Sequence, residues 1–164
     1  MTSGYVVVSA AGQTMPNATV AELMAAVLTT GAPFRFTASG FSMSPFIRDG
    51  DAITIAPAPA RIHYGEVVAF VNPFNGKLTV HRVVHVSRGG YLMQGDNAPE
   101  QDGYVSRRDI IGRVIRLERH GKRVRLGLGL ERTVIAFLAR RGWLVPMIVS
   151  TWWIFRPILK KFNA

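Results

Sequence analysis

The sequence predicts a mainly β domain, sandwich or barrel-like, with a short helix near the N-terminus and a hydrophobic, helical segment at the C-terminus. Three observations carry this. Between Phe34 and Leu126 the chain breaks into short runs rich in β-branched and aromatic residues, separated by Gly, Pro and Asp punctuation. No amphipathic helical stretch lies between those runs, so βαβ units are not expected. An apolar fraction of 48% and an aromatic fraction of 10% over 164 residues suit one folded domain with a single core.

In order along the chain, Tyr5-Val6-Val7-Val8 is a short strand candidate, followed by loop chemistry. Thr19 and Glu22 have capping-box spacing, with Thr19 as N-cap, and predict a helix over about residues 20–29. Gly31 and Pro33 end it. Strands are predicted over Phe34–Ala38, Ala52–Ile55, Glu66–Val71, Leu78–Val86, Tyr91–Gln94, Ile110–Glu118 and Arg123–Leu126. The last two should pair through a turn at His120-Gly121. Residues 1–130 thus form a β domain and residues 131–164 a basic, apolar C-terminal segment.

The net charge of +10 is unevenly placed. Residues 1–106 hold 6 Lys/Arg against 7 Asp/Glu, and residues 107–164 hold 14 against 3. There are no cysteines, which excludes a thiol nucleophile, disulfides and cysteine-ligated zinc. His63, His81, His85 and His120 are too scattered for a metal signature, and no cofactor is expected. The N-terminus lacks a basic region followed by a full apolar stretch, so no signal peptide is expected.

Three segments carry the chemistry. Gly40-Phe41-Ser42-Met43-Ser44-Pro45 runs on into Arg48-Asp49-Gly50; Leu78-Thr79-Val80-His81-Arg82-Val83 alternates like a strand; Gly95-Asp96-Asn97 precedes Asp102. A serine hydroxyl attacks a carbonyl only when a nearby base takes its proton, and it must sit on an exposed turn with backbone N–H groups at hand. Gly40 permits a tight backbone before Ser42. A histidine suits the base, and a carboxylate that fixes its tautomer improves it. Taken singly, each segment is an ordinary turn or strand; their order and spacing are what is specific.

Those segments resemble the signal peptidase I and LexA-like serine peptidases over about Phe34 to Val114. The likeness is closest to the Ser-His signal peptidases of the endoplasmic-reticulum and archaeal type, where His followed by Arg-Val replaces the usual Lys. The resemblance implies a serine endopeptidase that cleaves extended peptides after small residues, with Ser42 as nucleophile and His81 as base. Asp102 falls on the position of the third member, and Asp96 is the alternative. Met43 would line the substrate groove. Gly40 stands where many relatives place a hydroxyl residue, so an oxyanion hole would rest on backbone donors. The other readings are LexA-like self-cleavage, for which Ala11-Gly12 is a suitable bond, and a non-catalytic β domain that binds peptides or membranes.

Trp143, Trp152, Trp153 and Phe155, flanked by Arg140-Arg141, Arg156 and Lys160-Lys161, suit an anionic membrane interface. The uncharged run is shorter than the roughly 20 residues a spanning helix needs. Partners are therefore expected to be a peptide or preprotein substrate and an anionic membrane surface. Association would be peripheral or C-terminally anchored, on either side of the membrane, and the protein is otherwise expected to be cytoplasmic. Nucleic acid is not expected, because the aromatics cluster in one apolar run instead of alternating with cations.

Overall fold

The computed structural model describes residues 6–8, 17–144 and 146. The elements in chain order are β1 (Val6–Val8), α1 (Asn17–Thr29), β2 (Phe34–Thr37), β3 (Ala52–Pro57), β4 (Val67–Val71), β5 (Leu78–Ser87), β6 (Gly90–Gln94), β7 (Gln101–Val105), β8 (Ile110–Arg119), β9 (Lys122–Val124) and α2 (Arg132–Arg140). Among the described residues, all nine strands join one sheet in the order β1-β2-β3-β8-β4-β5-β6-β7, with β9 paired to β8. Every pairing is antiparallel except β1 with β2, which is parallel. The architecture is mainly antiparallel β with a short N-terminal helix.

Register shifts at Thr54/Ile55, Ala69/Phe70, Val83/His85 and Met93/Gln94 bend the sheet, since an extra residue in one strand increases local twist. That bending gives the sheet two apolar faces. Along β4, Val67 and Ala69 join a cluster with Met24 and Leu28 of α1, while Val68 and Phe70 join a second cluster with Val83, Met93 and Ile110. A strand buried on both faces has no room for polar alternation, and β4 reads as a continuous apolar run for that reason.

Three sequence expectations are corrected. The helix α1 begins at Asn17, so Thr19 lies within its first turn and cannot be the N-cap, which requires non-helical backbone. The strand β7 is a further departure: Asp102-Gly103 has turn-forming residues, yet the segment pairs with β6, and Gly103 takes a left-handed φ of 86° within it, close to the Phe74 ring. The last hairpin turns at His120 (φ 49°) and Gly121 (φ 73°), as expected, but β9 covers Lys122–Val124 and stops short of Leu126.

The helix α2 lies on the β domain through Ile135, Ala136 and Ala139. Ala136 meets Val84 and Leu92, and Ile135 and Ala139 pack with Leu144 and Phe46. Among the described residues no helix is long and apolar enough to cross a membrane. Tyr5, Ala11, Gly12, Trp152, Trp153, Phe155, Arg156, Lys160 and Lys161 lie outside the described residues.

Candidate active site

Ser42 sits on a loop that leaves β2 and returns to β3. Two hydrogen bonds close its base, Ala38 N–H to Asp51 C=O at 2.8 Å and Gly50 N–H to Ala38 C=O at 2.9 Å. At its tip, Ser44 N–H donates to Phe41 C=O at 3.0 Å, a tight turn that leaves Ser42 exposed. Met43 and Ile47 point the other way, into the core formed by α1, β2, β3, β4 and β8. The peptide bond Ser44–Pro45 is cis. Met43 is buried and anchors the loop in this core, the residue after an exposed turn serine facing inward.

Gly40 is at φ 98°, a left-handed conformation that favours glycine, and its N–H donates to Asp49 Oδ1 at 2.9 Å. Gly40 thus shapes the loop, and its N–H is taken by Asp49. Asp51 braces the far side. It accepts from Arg48 N–H and from two guanidinium nitrogens of Arg119, at 2.8, 2.8 and 2.7 Å. Burial pushes the Asp51 carboxyl up, but the Arg119 hydrogen bonds, the Arg48 N–H and the charges of both arginines outweigh it and hold the group below its ordinary value.

His81 stands in the middle of β5, opposite Val68. Its Nε2 is 2.8 Å from Ser42 Oγ and its Nδ1 is 2.5 Å from Asp102 Oδ2. Asp102 arrives on β7, the strand that was not foreseen. In the imidazole tautomer with the proton on Nδ1, that proton is donated to Asp102 Oδ2 and the Nε2 lone pair is presented to the Ser42 hydroxyl.

Asp96 has a different partner. Arg82, which faces away from His81 because neighbouring strand residues alternate, donates through Nε and Nη2 to the two Asp96 oxygens, both at 2.7 Å. Its Nη1 donates to Gly65 C=O and Gly127 C=O, each at 2.9 Å. The Arg82 side chain is 0% exposed. This buried pair holds the loop Gly95-Asp96-Asn97 against the Ser42 turn. Asn97 N–H donates to Ser42 C=O at 2.7 Å, and Asn97 Nδ2 to Phe41 C=O at 3.3 Å. A Cβ on Gly95 would stand 2.6 Å from Ser42 C=O and 3.0 Å from His81 Nε2, so only glycine fits without displacement.

Arg82, Gly95 and Asn97 therefore support the site, as do Asp51 and Arg119, and sequence reasoning assigned them no positions in it. Arg82 and the Gly95-Asp96-Asn97 run were visible only as the context of His81 and Asp102. Arg119 is separated from Asp51 by 68 residues and carries no local signal.

A hydroxyl, an imidazole and a carboxylate in one hydrogen-bonded line can move a proton from oxygen to nitrogen and stabilise the cation that results. Among the described residues, the N–H groups of Ser42 and Met43 donate to no protein acceptor. They are the backbone donors at hand for negative charge developing beside Ser42 Oγ.

A family model described as Peptidase S24-like matches residues 6–115. The chain belongs to this family. It is the family of LexA-like and signal-peptidase-I-like serine peptidases, and it supports a serine peptidase type of hydrolase. The match takes in β1 and α1, which the resemblance read from Phe34 onward had left out; Met24 and Leu28 of α1 share the core with β3, β4 and β8, so the helix is part of the same domain. No curated protein matches the chain.

Proposed function

We propose that the protein is a serine endopeptidase in which Ser42 attacks, His81 transfers the proton and Asp102 orients His81, closest in type to the Ser-His signal peptidases. The observation that carries this reading is the line Ser42 Oγ to His81 Nε2 to Asp102, with Asp96 occupied by Arg82. Ser42 Oγ bonds to the carbonyl carbon of the substrate as its proton passes to His81 Nε2. The oxyanion meets the Ser42 and Met43 N–H groups. His81 then gives the proton to the leaving amine nitrogen as the C–N bond breaks, leaving an acyl group on Ser42. Water, deprotonated by the same histidine, releases the acid and restores the serine. The substrate is an extended peptide with small residues before the cut.

The test is a comparison of protein N-termini in cells carrying the wild-type chain and cells carrying Ser42→Ala. Termini that vanish with Ser42→Ala, each preceded by small residues, are expected. Identical sets of termini would count against the assignment.

A second reading, self-cleavage, has one observation in its favour. Strand β1 runs parallel to β2, so both point toward the end of the sheet from which the Ser42 loop departs, and Ala11 follows Val8 by three residues. Intact mass after prolonged incubation decides it: loss of the first eleven residues, abolished by Ser42→Ala, supports it, and a stable full-length chain sinks it.

A further inference from the structure

We infer that the outward face of α2, with the residues just before and after it, is a docking surface for an anionic lipid bilayer. The helix is apolar on two sides. Ile135, Ala136 and Ala139 fasten it to the β domain, while Leu126, Leu130, Val134, Phe137 and Trp143 are exposed, Leu130 at 95% and Trp143 at 53%. Within α2, Val134 and Phe137 recur at the spacing of one helix face, with Leu130 one turn before. Arg141 lies over both aromatic rings, 5.0 Å from the Phe137 centroid and 5.8 Å from that of Trp143, which binds two rings and a guanidinium into one patch.

Charge selects the occupant. Among the described residues from 132 to 144 the charged side chains are Arg132, Arg140 and Arg141, with no Asp or Glu. An isologous dimer through this face would set Arg140 and Arg141 against their own copies, and the nearby carboxylates are already engaged, Glu131 by the N–H groups of Gly127 and Gly129 and Glu66 by Arg113 and Arg132. A nucleic acid would leave Leu130 and Val134 without a stacking partner. An anionic bilayer satisfies both features, with Trp and Phe at headgroup depth and arginines on phosphates, each basic residue contributing about 1 kcal/mol near the surface.

The surface is also tied to the site. Gln94 Nε2 donates to Ala139 C=O, in the last turn of α2, at 3.2 Å and to Ala98 C=O at 3.0 Å. Ala98 follows Asn97, whose N–H holds the Ser42 carbonyl. These contacts link α2 to the loop that carries Ser42; if the peptidase reading above holds, a membrane docked on α2 is coupled to that loop through Gln94.

The experiment is vesicle flotation of the full chain carrying Ser42→Ala, so that its outcome does not depend on peptidase activity. Vesicles of phosphatidylcholine mixed with phosphatidylglycerol are expected to carry the protein, and vesicles of phosphatidylcholine alone to carry far less. Val134→Asp with Phe137→Asp should weaken binding by about tenfold or more, since charge replaces buried apolar surface at the interface. Val134→Ser with Phe137→Ser serves if the aspartates disturb folding, checked by circular dichroism. Absence of flotation would overturn the inference, as would flotation that neither pair weakens. So would a dimer that either pair splits while no vesicle binding is seen.

Discussion

Arg82 and Asp96 form a two-pronged ion pair, 2.7 Å on both arms and closed to solvent, one residue away from His81 in the strand and one away from Gly95 in the loop. It determines which aspartate faces His81. With both oxygens of Asp96 held by Arg82, the carboxylate left for the imidazole is Asp102. Breaking one side strands a buried charge, so Asp96→Ala should cost about 3–5 kcal/mol in urea unfolding. Arg82→Met combined with Asp96→Leu removes both charges and should cost clearly less than Asp96→Ala alone. A double variant as unstable as the sum of its single changes would show that the pair is not coupled in this way.

Gly95→Ala tests the closeness of the loop to the site. The new methyl group must displace Ser42 C=O or His81, because it would stand 2.6 and 3.0 Å from them. A shift of about 1 Å at reacting groups can lower rates on the order of 100-fold. We expect kcat/KM on a cleaved peptide to fall by about that factor, with a stability loss of about 1–3 kcal/mol from overpacking. Wild-type kinetics in Gly95→Ala would mean that the loop yields freely.

Met43 separates a core role from a substrate role. Met43→Leu conserves volume and should leave the choice of cleavage site unchanged, at a cost below about 1.5 kcal/mol. Met43→Ala opens a cavity and should cost about 2–5 kcal/mol. Sequencing the products from Met43→Leu checks this; a new residue preference before the cut would return Met43 to the substrate groove.

The residues of the candidate site were legible in the sequence, because the residue types and their order are local patterns. Ser42 before Met43, and His81 before Arg82-Val83, needed no knowledge of the fold. The resemblance favoured Asp102 over Asp96 by position, but the physical reason for that choice was not legible. It depends on β7 pairing with β6 and on Arg82 facing away from His81, and both are facts of tertiary hydrogen bonding. Gln101–Val105 carries a Gly and an Asp, residues that locally favour a turn, and the strand forms because its neighbour supplies the ladder. The inward turn of Met43 was hidden for the same reason: nothing in Ser-Met-x-Pro says which side of the loop meets α1.

Asp51 gives the Ser42 loop a dependence on acidity. Its folded carboxyl releases its proton more readily than the ordinary value of 3.8, burial notwithstanding, because Arg119 and the Arg48 N–H favour the charged form. The unfolded chain then binds the proton more tightly, so the stabilisation is complete above the ordinary carboxylate range and is lost as pH falls through about 4 and below. Asp51→Asn should lower unfolding free energy by about 2 kcal/mol at about pH 7 and by much less near pH 3. Glu118 and Glu131 are likewise held low, Glu118 first by its hydrogen bond from Arg35 and Glu131 by backbone N–H groups, so only the difference between variant and wild type isolates Asp51. Equal losses at both pH values would remove the ion pair from the explanation.

The central claim is that Ser42 and His81 act as one unit with Asp102 behind them. Purified wild-type chain, Ser42→Ala, His81→Ala, the double variant and Asp102→Asn should be incubated with a proteome-derived peptide mixture and the new N-termini counted over time. Cleavage after small residues is expected from the wild type. Either alanine change should abolish it, with the double variant no worse than each alone, and Asp102→Asn should lower the rate by about 10⁴-fold. Fragments that appear equally fast with Ser42→Ala, or no fragments from the wild type, would contradict the assignment.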